Sequence, residues 1–423
     1  MVASLAIPPA VALHRCQVSL KVIFRAGCPR VQHKTLANTR RQVGTRGDNR
    51  SFHFRVQSVS DTRSVPATMP ALQEELKAAR QAVTLASRLC RSVQMTLGSA
   101  EHQDKPDDSP VTVADYGAQA VVAWTLKAAF PGTPLSLIAE EDADDLRLPS
   151  GAVMLDRITA LVNETLGLAR QLAPAQVADL IDAGGSPGGR TGRHWVLDPI
   201  DGTRGFVGRR QYAVCLGLIE GGEVTLGVLG CPNLPQATPV GQASLDAEAA
   251  GRDARLAPRD SGCLFHAVKG QGAWVCGLAG GEVPARISAQ TDPEGSAAVY
   301  MTSWESRHSN HDLTDRLAAA VGVTRPALKL DSQAKYGLLA RGDASIFLRM
   351  PAPGYKEKVW DHAAGAVLVT EAGGCISDCH GRPLDFGAGR FLEGLQGGII
   401  AAAPPTLHAA LVRAYTAAAA VDA

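Results

Sequence analysis

The stretch Asp198-Pro-Ile-Asp-Gly-Thr203, entered from the apolar run Trp195 to Leu197, constrains this chain more than any other segment. An apolar run bounded by proline and glycine reads as a strand that ends in a turn. Pro199 fixes that turn and Gly202 relieves it, so Asp198 and Asp201 can converge on one point instead of facing opposite sides of a strand. Hard divalent cations need such a convergence of oxygens. A bare Asp-x-x-Asp is more simply a turn cap; the complete hexapeptide after a strand is far more specific.

Two further acidic loci match it. Glu140, Glu141 and Asp142 follow the expected strand Leu135 to Ala139, and Asp361 follows Trp360 and precedes the small residues Ala363, Ala364 and Gly365 of an expected helix. Each alone reads as a helix cap or a partner of the helix dipole. Together they supply the carboxylates with which a two-metal phosphoryl-transfer site clamps attacking and leaving oxygens. Helix N-termini would add N–H donors for a phosphate.

The rest of the sequence sets the frame around these loci. With 42 Lys+Arg against 41 Asp+Glu, no global field argues for nucleic acid or a membrane surface, and no run of 18 apolar residues suggests a spanning helix. Residues 1–65 are rich in Arg, Ser and Thr and hold only two carboxylates, Asp48 and Asp61. That pattern fits a cleavable transit peptide for a plastid or mitochondrion, disordered and outside the fold. Order is expected from about Pro70, where Leu72, Leu76, Ala79, Val83, Ala86, Leu89, Val93 and Leu97 make the stripe of an amphipathic helix. Tyr212 to Ile219 and Val224 to Leu229 read as a β-hairpin around Gly221 and Gly222. The second half alternates strand and helix signals, which favours a mixed α+β and α/β chain in two domains, 66–235 and 236–423.

In order along the chain, Val111-Thr-Val-Ala-Asp115-Tyr116, Ala139-Glu-Glu-Asp142, Asp198 to Thr203 and Trp360-Asp-His-Ala-Ala-Gly365 resemble the motif set of the lithium-sensitive inositol monophosphatase superfamily. Ser109-Pro-Val-Thr112, Asp331-Ser-Gln-Ala-Lys-Tyr336 and Tyr355-Lys-Glu-Lys-Val-Trp-Asp361 are most similar to its plant and fungal bisphosphate nucleotidase branch. The resemblance runs from about Ala71 to Val412. It implies a layered αβαβα sandwich. It also implies hydrolysis of the 3'-phosphate of adenosine 3',5'-bisphosphate, with activity on the corresponding 5'-phosphosulfate, by a soluble monomer or homodimer. Two to three Mg²⁺ ions are implied, held by Glu140, Asp198, the carbonyl of Ile200, Asp201 and Asp361, with Asp198 as the bridge. Asp115 and Thr203 would be the pair that orients and deprotonates the attacking water, and Thr203, Glu305, His308, Ser332, Lys335 and Arg349 would contact the nucleotide.

One departure from the branch is Arg204, where its members usually carry lysine after the threonine. Charge is kept but geometry is not. Three other readings stay open: an inositol polyphosphate 1-phosphatase with the same metal ligands, a simple inositol monophosphatase, against which the Asp331 to Tyr336 motif speaks, and a phosphonucleotide sensor without turnover.

Overall fold

In the computed structural model, the described residues are 72–96, 102–104, 110–236, 262–291, 297–304, 309–352 and 354–421. Chain contacts separate Met1–Pro66 from a compact unit, Ala67–Ala423, to which all described residues belong. The expected leader and the nucleotide contacts Glu305 and His308 lie outside the described residues. Among the described residues no helix is long and apolar enough to cross a membrane.

A small hairpin, β1 (His102–Asp104) with β2 (Pro110–Thr112), precedes the first of two large sheets. That sheet has seven strands in sequence order: β3 (Leu137–Ala139), β4 (Arg193–Asp201), β5 (Ala213–Glu220), β6 (Glu223–Cys231), β7 (Cys263–Val268), β8 (Gly272–Gly277) and β9 (Ala285–Ile287). Only the β3–β4 pair is parallel. The second sheet has five strands: β10 (Tyr300–Thr302), β11 (Leu328–Lys329), β12 (Ile346–Arg349), β13 (Cys375–Asp378) and β14 (Ile399–Ala402), in the order β11-β10-β12-β14-β13. Strands β7 to β9 carry the first sheet as far as Ile287, so the boundary expected at residue 235 does not coincide with the end of that sheet.

Side-chain alternation along the strands builds the layers. Val214, Leu216 and Leu218 of β5 pack with Ala79, Val83, Leu89 and Val121 of the helices Gln73–Thr96 and Val113–Ala129, whereas Ala213 and Cys215 face Tyr336, Leu339 and Ala364. In the second sheet Phe347 and Ala401 turn toward that same inner layer, the helices Ala334–Arg341 and Ala363–Glu371. Ile346, Leu348 and Ile400 face outward onto Leu317 and Leu411 of the helices His311–Ala320 and Pro405–Val421. Helix, sheet, helix, sheet, helix is the αβαβα sandwich expected.

One irregularity decides the chemistry. Asp198 of β4 pairs with Cys215 and Asp201 with Ala213, so the register shifts by one residue between them. A bulge of this kind inserts a residue into one strand. In a regular strand, residues three apart point to opposite faces; the extra residue restores parity and brings both carboxylates to one side.

Candidate active site

The end of β4, the turn after it and the inner helix layer enclose a cavity of about 320 Å³. Glu140, Asp198, Asp201 and Asp361 line it. Ser332, Lys335 and Arg349 also line it, as do Ile200, Thr203 and Arg204. The cavity thus brings together every site residue expected from the sequence except Asp115, which is buried in the first turn of the helix Val113–Ala129, and the two outside the described residues.

The acidic set is only partly compensated by nearby cations. Burial pushes the carboxyl of Asp198 well above the usual range, and the charges of Glu140, Asp201, Asp361 and Asp115 push it further. Asp361 is raised well above its ordinary value by burial and then by Asp201, Glu357 and Glu140. Asp201 is raised by burial too, although the charges of Lys335, Arg349 and His362 and the backbone N–H of Gln333 work against the shift. Asp198 Oδ1 is buried and accepts no hydrogen bond. A buried oxygen without a donor, among carboxylates that repel one another, is what a hard cation offsets, so this donor set fits a divalent ion. Thr203 Oγ1 donates to the Ile200 carbonyl at 3.2 Å, which holds the turn that carries both aspartates.

Glu357, Asp361 and His362 also lie close enough together to share an ion. Two of the three are already committed. Glu357 accepts from Arg349 Nε at 2.8 Å and Nη2 at 3.2 Å and pairs with His362 Nε2 at 3.0 Å, while His362 Nδ1 meets the Tyr336 hydroxyl at 2.8 Å. Burial opposes ionisation of Glu357, but Arg349 and His362 prevail and bring its pKa down to about 2. A pair so well satisfied is a poor site for a further cation. We assign it to holding Arg349 in place.

Lys335 is buried, and its Nζ donates to the Leu330 carbonyl at 3.1 Å and lies 5.2 Å from the Phe347 ring centroid. Desolvation lowers its pKa to about 8 despite the charges of Asp331 and Asp201. Lys358 Nζ pairs with Glu140 Oε1 at 3.1 Å and lines the cavity, as does Tyr355. Sequence reasoning gave Lys358, Tyr355 and Glu357 no role, although all three stand in the stretch before Asp361. A lysine three residues before a carboxylate expected to ligate was the available signal. Arg204 also lines the cavity, so the position that departs from the branch is at the site itself.

Residues 71–419 match the Inositol monophosphatase family. The chain is 47% identical over 309 residues to 3'(2'),5'-bisphosphate nucleotidase 1 of Arabidopsis thaliana, covering 72% of this chain and 85% of that protein. A 3'(2'),5'-bisphosphate nucleotidase of Oryza sativa is 46% identical over 332 residues, 77% of this chain and 89% of the relative. One from Schizosaccharomyces pombe is 38% identical over 339 residues, 78% and 90%. Among solved structures, the IMPase of Thermotoga maritima is 19% identical and has a TM-score of 0.50, covering 81% of this chain and 97% of that one, which speaks to the fold alone. With a family match across nearly all of the compact unit, the chain belongs to the inositol monophosphatase family.

Proposed function

We propose that this protein is a Mg²⁺-dependent phosphatase that removes the 3'-phosphate of adenosine 3',5'-bisphosphate to leave AMP, and that it acts likewise on the 5'-phosphosulfate. The observation that carries this reading is the buried, self-repelling carboxylate set with the orphaned Asp198 Oδ1, in one cavity with Lys335 and Arg349. The names of the curated relatives point to the same substrate class.

Mg²⁺ at Glu140, Asp198, the Ile200 carbonyl, Asp201 and Asp361 would supply the positive charge that attacking and leaving oxygens need. The chain's own groups do the rest. Asp115 and Thr203 orient the attacking water and accept its proton. The phosphorus–O3' bond breaks opposite the forming phosphorus–oxygen bond, and the ribose oxygen becomes a hydroxyl by taking a proton from a solvent water, while the proton of the attacking water passes through the Asp115–Thr203 pair back to solvent. Ser332, Lys335 and Arg349 hold the 5'-phosphate that is retained, with Lys335 as a point charge and Arg349 as a fork already oriented by Glu357. An anion beside Lys335 restores the charge that burial opposes. The acid-poor leader serves as an organelle-targeting segment, which import of a fluorescent protein fused to residues 1–66 would test.

The test is kcat/KM with Mg²⁺ on adenosine 3',5'-bisphosphate and on inositol 1,4-bisphosphate. A preference for the nucleotide supports the reading; a preference for the inositol compound makes the protein an inositol polyphosphate 1-phosphatase. No phosphate release from either leaves the binding-only sensor.

A further inference from the structure

Gln333 joins the turn after β4 to the segment around Asp361. Its backbone N–H donates to Asp201 Oδ2 at 2.6 Å. Its side-chain Nε2 donates to the Trp360 carbonyl at 2.8 Å, and its Oε1 accepts from Gly365 N at 3.1 Å. The side chain is buried and uses both ends of its amide. The first contact fixes a carboxylate of the β4 turn, and the other two grip the residues on either side of Asp361.

The local backbone is shaped for this. Ser332 has φ of 71°, a conformation that residues with side chains rarely adopt. Its Oγ accepts from Ala334 N at 3.2 Å, which closes the turn into the helix Ala334–Arg341. Gly202 makes the approach possible, because a Cβ there would stand 3.1 Å from that of Ser332. Arg210 ties the other side of the turn through Nε and Nη2 to Asp331 Oδ2 at 3.3 and 3.2 Å.

We propose that Gln333 is a positioning residue that sets the separation of Asp201 and Asp361, and so the affinity of the cation they share. This rests on the reading of the site as cation-dependent. Outer contacts of this kind commonly contribute 10- to 100-fold to metal affinity because they orient the ligating groups before the ion arrives.

The experiment measures Mn²⁺ binding by electron paramagnetic resonance, without substrate, in the wild type, Gln333→Met and Asn163→Leu. Met keeps the shape of Gln and removes both amide contacts. Asn163 is the control, since its amide bridges the N–H and carbonyl of Leu172 at 2.8 and 3.0 Å in a part of the first helical layer that does not line the cavity. The expected result is Mn²⁺ affinity about 10-fold or more weaker in Gln333→Met and unchanged in Asn163→Leu. Unchanged affinity in Gln333→Met, or equal weakening in both variants, overturns the proposal. If Gln333→Met does not fold, Gln333→Glu is used, which keeps the acceptor for Gly365 and loses the donor to Trp360; wild-type affinity there is equally fatal. Absence of Mn²⁺ binding by the wild type would instead overturn the cation-dependent reading, and this inference with it.

Discussion

Two groups of buried charges beside the cavity are handled in opposite ways. In the first, Arg349, Glu357, His362 and Tyr336 form a chain of contacts in which the charges of Arg349 and Glu357 meet each other. In the second, burial and the charges of Glu140, Asp201, Asp361 and Asp115 raise Asp198, burial and the charges of Asp201, Glu357 and Glu140 raise Asp361, and Asp198 keeps an oxygen without a donor. Lys358 pairs with Glu140, and its charge also works against the shift of Asp361. The paired group is complete before a ligand arrives, which suits the proposed holding of a phosphate that is not to react. The acidic group keeps a repulsion that the proposed cation would offset, which suits a site of chemistry.

The comparison breaks first in the acidic group. Asp361→Asn and Asp201→Asn should lower kcat with Mg²⁺ by roughly 10³-fold or more, several kcal/mol of transition-state stabilisation. The metal-free protein should behave in the reverse sense. Carboxyls raised in the native state bind protons that the unfolded chain has already released, so stability falls as pH rises above the ordinary carboxylate range of about 4. Thermal midpoints in EDTA should therefore decline with rising pH in the wild type, and Asp361→Asn should flatten that decline. A variant less stable than wild type at neutral pH in EDTA would show that the carboxylate is structural.

In the paired group the large effect is on stability. Arg349→Met leaves Glu357 buried with only His362 beside it, and breaking such a pair typically costs about 3 to 5 kcal/mol, readable in urea denaturation. A loss below about 1 kcal/mol, the range of exposed ion pairs, would mean that the network is not closed.

Thr203 sharpens the contrast because it belongs to neither charge set. Thr203→Val keeps the shape and removes the hydroxyl, so kcat should fall about 10²-fold with little change in KM if the hydroxyl helps move the proton of the water. A change confined to KM would assign Thr203 to binding. The smallest effect comes from Lys335. Its pKa of about 8 means that the cation is lost as pH rises through that value, so KM for a bisphosphate should rise above pH 8 and level off below it. Lys335→Met should show a raised KM without that inflection.

Where the sequence was a sufficient guide, a single element carried the signal. The helix Gln73–Thr96 follows from its apolar stripe, and the β5–β6 hairpin from alternation around Gly221 and Gly222. Between 152 and 182 the chain forms two helices, Ala152–Leu166 and Pro174–Asp182, with Gly167 in a left-handed turn and Pro174 restarting the chain. Strands β7 to β9 and β13 were not anticipated. β13 is only four residues long and owes its place to its partner β14. The acidic loci were legible because a turn and its carboxylates are adjacent in sequence. Gln333 and Glu357 were not, since their contacts reach across 132 residues in one case and depend on burial in the other.

The proposed assignment of the acidic group to reaction and of the paired group to retention is tested most directly by ³¹P NMR of adenosine 3',5'-bisphosphate incubated with the protein and Mg²⁺. The account predicts that the 3'-phosphate resonance disappears into inorganic phosphate while the 5'-monoester resonance persists as AMP, and that EDTA stops the change. Loss of the 5'-phosphate first, or the same release with the cation chelated, would contradict it.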